Sequence, residues 1–141
     1  LLKKIEGRRA IWIHAASVGE IVATSPLVKE VKKEFPEAVV VVSVVTATGH
    51  AMAHRIIPEA EGIIFFPLDL PYLTRKILHI IKPITILLVE TEIWPNFLRI
   101  AQSEDIPVMM VNGRISDRSM KRVLLNVFVC NLSLMQHILK C

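Results

Sequence analysis

The sequence predicts an α/β fold in which a parallel β-sheet carries helices on both faces. Short runs rich in Val and Ile alternate with longer amphipathic segments about five times along the chain, a pattern typical of parallel sheets. The run AVVVVSVV, residues 38–45, is apolar apart from one serine, as expected for a strand that is buried on both faces. The chain is 52% hydrophobic but only 6% aromatic, so we expect a substantial core built from aliphatic side chains.

The elements follow one another in strict alternation. A strand at Ala10–Ala15 leads into a helix at Gly19–Phe35, which Pro36 ends. Pro26 falls inside this helix, so either the helix kinks there or Ser25 caps a fresh start. The later strands are expected at Val39–Val45, Gly62–Phe66, Ile84–Val89 and Val108–Val111, the later helices at Gly49–Ile57, Leu70–Ile81, Trp94–Ser103 and Ser116–Phe128, and Leu132–Met135 is the last candidate strand.

Length and composition limit the class of protein. A chain of 141 residues is expected to form one domain, residues 1–141. No apolar run is long enough to span a bilayer, and LLKKIEGRRA carries charge without the apolar stretch of a signal peptide. Cys130 and Cys141 form neither a CxxC motif nor a metal set, which favours reduced thiols in the cytoplasm.

The net charge is +4, and the basic residues cluster near both ends of the chain. These clusters are either a solvated surface or a contact for phosphates or an anionic surface. Aromatic residues are not interleaved with them and no nucleic-acid motif is present, so we expect no nucleic-acid partner.

The segments that follow the predicted strands are expected to carry the function. In parallel sheets of this kind, ligands bind at the carboxyl ends of the strands. These segments are polar and rich in small residues: HAASVGE, TATGH, PLDLP, ETEIWPN and NGRIS. All five should therefore converge on one edge of the sheet.

The first of these segments ends in SVGE, which has neither the glycines of a dinucleotide fingerprint nor the lysine of a P-loop. Gly19 permits a tight turn or a close approach of the backbone to a ligand. Ser17 is suited to cap the following helix, and Glu20 then lies in its first turn. Two interpretations stay open for Glu20, namely a capping acid and a general base that takes a proton from a hydroxyl.

The segment ETEIWPN places two acids directly after an apolar strand. Like charges this close are costly unless something pairs with them or orients them, and the alternation of a strand would point one of them at a ligand. No His or Asp stands at ligand spacing, so we expect no metal site. In the alternative interpretation, Glu92 serves the following helix and Trp94 packs in the core, leaving Glu90 as the functional acid.

Further candidates lie at the same edge. Arg114, in NGRIS beside Asn112, suits a carboxylate or a phosphate, or it forms a salt bridge to one of the two acids after the fourth strand. Thr48 lies in TATG at a helix start, a modest anion site. We expect Asp69 to act as a turn or cap residue, and His14 is placed to orient a neighbour.

These loops also support a resemblance to a known family. HAASVGE, TATG, FPLDLP, ETEIWPN and NGRISDRS occur in the order and approximate spacing of one family. From about Ala10 to about Arg122, the chain resembles the N-terminal domain of the 3-deoxy-D-manno-octulosonic acid (Kdo) transferases of lipopolysaccharide synthesis. The resemblance implies a Rossmann-like domain that forms the acceptor-binding, N-terminal half of a GT-B glycosyltransferase, an enzyme with two such domains facing a cleft.

The resemblance also implies an activity and its residues. Members of this family transfer Kdo from CMP-Kdo to a lipid A precursor with inversion, without a metal or a cofactor. Glu20 matches the catalytic base, Glu90 matches a second active-site acid, and Thr48 matches a position beside the acceptor. The remaining candidates for substrate binding are Ser17, Gly19, Glu92, Asn112 and Arg114.

The resemblance places the chain at the cytoplasmic face of the inner membrane, either peripherally or through an anchor segment ahead of Leu1. The nucleotide-sugar domain of the family is not seen in these 141 residues, and residues 127–141 drift from the family pattern and are expected to be partly irregular. We therefore expect that the chain cannot transfer Kdo alone. Two alternatives remain: an inert domain that binds a glycolipid or a partner chain, and another GT-B glycosyltransferase.

Overall fold

The computed structural model describes Ile5, residues 7–90 and residues 93–111. Between Ala10 and Val111, five strands alternate with four helices, and the predicted elements in this range are confirmed with ends displaced by no more than two residues. The predicted helix at Ser116–Phe128 and strand at Leu132–Met135 lie outside the described residues. The elements are β1 Ala10–His14, α1 Val18–Glu34, β2 Val39–Val44, α2 Ala47–Ile56, β3 Gly62–Phe65, α3 Pro71–Ile81, β4 Pro83–Val89, α4 Pro95–Ser103 and β5 Val108–Val111.

The strands form one parallel sheet in the order β3-β2-β1-β4-β5. The chain moves outward from β1 through β2 to β3, then crosses back to β4 on the other side of β1. Right-handed crossovers place the helices of these two halves on opposite faces of the sheet. Accordingly, α1 and α2 pack against one buried cluster, and α3 and α4 pack against the other.

The two halves of the core differ in composition. The half under α1 and α2 is aliphatic, as expected. The half under α3 and α4 is also mostly aliphatic, so the expectation holds there too, but this half additionally contains a group of packed aromatic rings. Trp12 and Phe97 pack edge to face with ring centroids 5.2 Å apart, and Phe66 lies 4.9 Å from Phe97. A low aromatic content gave no sign that the few aromatic rings would share one side of the sheet.

The first helix is continuous through Pro26. Ser25 therefore does not cap a fresh start; its hydroxyl instead donates to the carbonyl of Ile56 (3.0 Å) and ties α1 to α2. Pro26 cannot donate to the carbonyl four residues earlier, at Val22. Val22 is 54% exposed, so water can satisfy that carbonyl.

An ion pair joins α1 to the starts of β2 and β3, at the sheet edge opposite the strands' carboxyl ends. Lys32 Nζ donates to Glu61 Oε1 (2.6 Å) and to the carbonyl of Ala38 (2.8 Å), while Glu61 Oε2 accepts from the Val40 N–H (2.8 Å). Burial alone would raise the pKa of Glu61, but the hydrogen bonds from Lys32 and Val40 and the Lys32 charge outweigh it and lower the pKa.

We predict that Glu61→Gln lowers the free energy of unfolding by about 1 kcal/mol at pH 7. A carboxyl with a lowered pKa stabilises the fold above its unfolded pKa of 4.5, and this contribution is lost as the pH falls through the folded value. Urea unfolding should therefore show that Glu61→Gln is less stable than the unmodified chain at pH 7 and that this difference in the free energy of unfolding is smaller at pH 3. Glu30→Gln, in an exposed pair with Lys33, is the control and should cost less; an equal penalty for Glu61→Gln at both pH values would contradict the assignment.

Candidate functional site

The carboxyl ends of β1 and β4 mark the candidate site. Strand order reverses between these two neighbours, and ligands of open α/β sheets bind in the crevice at such a reversal. The loop after β1 carries Ala16 and Ser17 and leads into α1, whereas Glu90 follows β4 directly. Because α1 and α4 leave this edge on opposite faces, the two loops form the two walls of the crevice.

Ser17 and Glu20 form a variant of the capping box at the start of α1, in which the Glu20 side chain accepts from the N–H of Ala16, the residue before the N-cap. The Glu20 N–H donates to Ser17 Oγ (3.2 Å), and the Ser17 hydroxyl donates to Glu20 Oε1 (2.8 Å). Glu20 Oε2 accepts from the Ala16 N–H (2.7 Å). Glu20 is only 6% exposed, whereas Ser17 is exposed. The capping interpretations of Ser17 and Glu20 are therefore confirmed.

Capping does not exclude a second role for Glu20. A carboxylate offers about four lone pairs, and the hydrogen bonds from Ser17 and Ala16 use two of them. Gly19 lies inside α1 and is exposed, so no tight turn requires it. A Cβ built at Gly19 would have one neighbour within 4 Å, Ser17 Oγ at 3.9 Å. The glycine thus leaves the surface beside the Ser17 hydroxyl uncovered.

The start of α2 packs against this loop. Thr46 caps α2 by accepting from the Gly49 N–H (3.0 Å), and the exposed Thr48 hydroxyl donates to Thr46 Oγ1 (3.2 Å). A Cβ at Gly49 would lie 3.0 Å from Thr46 Oγ1 and 4.0 Å from the Ala16 carbonyl. Because Gly49 has no side chain, the TATG segment can lie close to Ala16. The sequence analysis did not predict this role for Gly49.

Glu90 has an unusual backbone for a residue that follows a strand. Its φ is +62°, in the left-handed region that is uncommon outside glycine. Lys82 and Asp105 also have positive φ, but they follow helix ends, where this conformation is common. The Glu90 N–H donates to the Val111 carbonyl (2.8 Å), which holds the turn in place. Strained backbone of this kind concentrates at functional sites.

The remaining predicted candidates are not placed by the structure. Glu92, Asn112 and Arg114 lie outside the described residues, so their substrate contacts, and the alternative salt bridge from Arg114, stay predictions. Within the described ranges, no group of three or more His, Cys, Asp and Glu side chains is arranged to hold a metal ion. No helix in this part of the chain is both long and apolar enough to cross a bilayer.

His14 fixes the end of β1 from beneath the site. It is fully buried, its Nδ1 lies 2.9 Å from Ser43 Oγ, and Trp12 Nε1 donates to the same oxygen (2.8 Å). Its ring lies over Phe66 with centroids 4.0 Å apart. Burial lowers the pKa of His14 to about 4, against a smaller opposing effect of the Ser43 hydrogen bond. The imidazole is therefore neutral at pH 7 and orients Ser43.

Asp69 links the loop after β3 to the loop after β4. Its Oδ1 accepts from the Phe97 N–H (2.8 Å) and its Oδ2 from the Asn96 N–H (3.1 Å), while the Asn96 side-chain amide donates to the Asp69 carbonyl (2.9 Å). The predicted cap role is confirmed, but the helix that Asp69 caps is α4 rather than the adjacent α3. Trp94, just before α4, packs against the core under α3 and α4 and contacts Phe66, as predicted.

A groove of about 530 Å³ lies away from the crevice, between α3 and α4. Its lining comes from the first turns of α3 and the later turns of α4: Pro71, Tyr72, Arg75, Arg99, Ile100 and Ser103. None of Ser17, Glu20 and Glu90 lines this groove, so we place the candidate site at the crevice that follows β1 and β4.

The sequence was also compared with protein families. The family model described as "3-Deoxy-D-manno-octulosonic-acid transferase (kdotransferase)" matches residues 1–140. This chain belongs to the Kdo transferase family. The resemblance predicted from the loops is therefore confirmed, and the chain is a member of a glycosyltransferase family.

Two Kdo transferases illustrate how much of an enzyme of this family the chain covers. The 3-deoxy-D-manno-octulosonic acid transferase of Haemophilus influenzae is 32% identical over 114 residues, which cover 81% of this chain and 27% of that protein. The transferase of Chlamydophila psittaci is 36% identical over 112 residues, which cover 79% of this chain and 26% of that protein. The chain spans about a quarter of the length of these relatives.

Solved structures agree on the fold. The UDP-GlcNAc 2-epimerase from Neisseria meningitidis, bound to UDP-GlcNAc, superposes with a TM-score of 0.55 over 85% of this chain and 36% of that chain, at 13% identity. At this identity the likeness concerns the fold alone. The predicted fold class is confirmed: a Rossmann-like parallel sheet with helices on both faces, as expected for the N-terminal half of a GT-B Kdo transferase.

We predict that His14 makes this Kdo transferase domain sensitive to acid. A histidine with a lowered folded pKa binds protons more readily when unfolded, so stability falls as the pH drops from 6.5 towards 4. Between pH 7 and pH 5, this effect should remove about 2 kcal/mol from the free energy of unfolding. In urea unfolding, the free energy of unfolding of His14→Gln should fall less between pH 7 and pH 5 than that of the unmodified chain. Above pH 7.5, the two chains should show the same dependence on pH. Identical slopes in the two chains would contradict the buried neutral imidazole.

We predict that Glu90→Gly gives a more stable domain than Glu90→Ala, by about 1 kcal/mol. Both variants remove the carboxylate, but only glycine adopts a φ of +62° without a Cβ clash. Thermal unfolding measures the difference. The same pair of substitutions at Lys82, with a φ of +49°, is the positive control. Equal stability of the two Glu90 variants, with the expected gap at Lys82, would show that the Glu90 backbone is not strained.

Proposed function

We propose that this chain forms the acceptor side of an inverting glycosyltransferase that moves Kdo from CMP-Kdo to a hydroxyl of a lipid A precursor. Family membership supports the reaction class. The observation that carries the proposal is the Glu20 carboxylate, which is 6% exposed and held by two donors at the crevice where strand order reverses. We assign this carboxylate as the general base.

The chemistry of the transfer suits a single base. The acceptor hydroxyl must lose a proton as its oxygen attacks the anomeric carbon of Kdo, and attack from the side opposite the leaving group inverts that carbon. CMP departs as a phosphate anion, which needs no strong acid. One carboxylate within reach of the acceptor hydroxyl is therefore sufficient. Glu90, on the other wall of the crevice, is assigned to orient the bound sugars.

An apolar patch at the same edge suits a lipid acceptor. Phe65 ends β3, and five large apolar side chains are exposed within nine consecutive residues: Phe65 (54% exposed), Leu68 (71%), Leu70 (53%), Tyr72 (75%) and Leu73 (37%). Exposed apolar surface of this kind often marks a contact with a partner or a membrane when it is continuous. We propose that this apolar patch contacts acyl chains at the cytoplasmic face of the inner membrane.

The basic N-terminal residues do not share this edge. Arg8 and Arg9 precede β1, at the opposite end of strands that rise about 3.3 Å per residue. Arg8 also donates to the Glu37 carbonyl (3.1 Å). We therefore assign the proposed membrane contact to the apolar patch rather than to these two arginines.

Transfer activity tests the proposal in a chimaera that carries this chain in place of the matching segment of the Haemophilus influenzae transferase. Glu20→Gln should lower kcat for transfer from CMP-Kdo to a lipid A precursor by roughly 10²- to 10⁴-fold. Glutamine keeps one acceptor oxygen for the Ala16 N–H, and its amide N–H can donate to Ser17 Oγ in place of the hydrogen bond that Ser17 now donates, so the domain should fold with a loss of only about 1 kcal/mol in the free energy of unfolding. This variant therefore separates the base from the cap.

The matched control is Glu34→Gln, at the other end of the same helix, which should leave kcat unchanged. A Glu20→Gln chimaera that keeps its rate would show that Glu20 is only a cap. An unmodified chimaera that is folded but silent with CMP-Kdo would contradict the proposed reaction itself.

A further inference from the structure

We propose that Ser17 is a catalytic residue that relays the proton of the acceptor hydroxyl to Glu20. This inference rests on the proposed role of Glu20 as the base. Its starting point is a difference in exposure between two hydrogen-bonded neighbours: Glu20 is 6% exposed, whereas Ser17 is exposed at the crevice. A substrate that enters the crevice therefore meets the serine hydroxyl before it meets the carboxylate.

The hydrogen bonds leave Ser17 able to accept one proton. The Ser17 hydroxyl donates its own hydrogen to Glu20 Oε1 (2.8 Å) and accepts from the Glu20 N–H (3.2 Å). A hydroxyl oxygen has one hydrogen and two lone pairs, so one lone pair of Ser17 Oγ remains for a substrate O–H. Gly19, with no side chain beside Ser17 Oγ, leaves that approach open.

Burial limits a direct transfer to Glu20. Its Oε2 accepts from the Ala16 N–H (2.7 Å) and its Oε1 from Ser17 (2.8 Å), and although each oxygen keeps a free lone pair, the residue is only 6% exposed. The relay instead passes through Ser17, the exposed neighbour, and uses the hydrogen bonds that are already in place.

The step balances as follows. The acceptor oxygen forms a bond to the anomeric carbon of Kdo, and the bond from that carbon to the phosphate oxygen of CMP breaks, with its electron pair leaving on CMP. The acceptor proton moves to Ser17 Oγ while the original Ser17 proton moves to Glu20 Oε1. Ser17 ends as a neutral hydroxyl and Glu20 as a carboxylic acid, which returns its proton to solvent after product release.

Three substitutions at Ser17 separate the relay from the cap in the same chimaera. Ser17→Thr keeps a hydroxyl and should keep kcat within about tenfold. Ser17→Asn keeps a good N-cap side chain but has no hydroxyl to pass a proton, so kcat should fall by roughly 10²-fold or more with an unchanged Tm. Ser17→Ala should lose both kcat and thermal stability. If Ser17→Asn keeps the kcat of the unmodified chimaera, Ser17 is only a cap and the relay is wrong.

A substitution beside Ser17 tests access to its hydroxyl. Gly19→Ala places a methyl group 3.9 Å from Ser17 Oγ without a clash, so the domain should fold while the acceptor KM rises and kcat falls. Unchanged constants in a folded Gly19→Ala chimaera would contradict an approach of the acceptor to Ser17 from this side.

Solvent isotope effects distinguish a proton relay through Ser17 from a purely structural role of this residue. Under single-turnover conditions, a relay moves two protons in the transfer step, so the rate plotted against the D₂O fraction should curve. A linear plot would indicate that only one proton moves in the transfer step and would overturn the relay. If Glu20→Gln keeps full activity, the base assignment fails and the relay to Glu20 fails with it. If Glu20→Gln loses activity while Ser17→Asn keeps it, the base assignment stands and only the relay fails, so the two claims are distinguishable.

Discussion

The reversal of strand order at β1 is the constraint on which the site depends. Because all strands are parallel, every connection must cross the sheet, and right-handed crossovers send α1 and α4 to opposite faces. The carboxyl ends of β1 and β4 are thus left side by side, and the helices that follow them leave on opposite faces. The capping box of Ser17 and Glu20 occupies one wall of this crevice, and Glu90 occupies the other.

Hydrogen bonds beneath the crevice hold these walls in register. The Ser43 carbonyl accepts a hydrogen bond from the Ala15 N–H (3.0 Å), and the Ser43 hydroxyl oxygen accepts one from Trp12 Nε1. These bonds hold the last residues of β1 in place, just before the loop whose N–H binds Glu20. On the other side, Asp69 caps α4 and so anchors the segment that follows Glu90. These hydrogen bonds restrict the ends of β1 and the start of α4, although one buried nitrogen next to this network, His14 Nε2, has no hydrogen-bond partner.

Sequence patterns predicted the parts of this structure that local chemistry decides. The alternation of β-branched runs with amphipathic segments located the elements between Ala10 and Val111, and the spacing of Ser17 and Glu20 predicted their cap. The grouping of aromatic rings on one face of the sheet and the capping of α4 by Asp69 were missed, because they are contacts between distant segments that no local pattern encodes. The left-handed backbone of Glu90 was missed because glutamate carries no preference for a positive φ. The roles assigned to Thr48, Glu92, Asn112 and Arg114 stay predictions, the last three outside the described residues.

A crystal structure of the Glu20→Gln chimaera with CMP-Kdo and a lipid A precursor bound would test the central claim most directly. The claim is that the acceptor hydroxyl enters the crevice over the start of α1. The account predicts its oxygen at hydrogen-bond distance, about 2.5–3.0 Å, from Ser17 Oγ, with the side chain of residue 20 still held by the Ala16 N–H. An acceptor whose reacting hydroxyl lies away from this crevice, for instance in the groove between α3 and α4, would contradict the account.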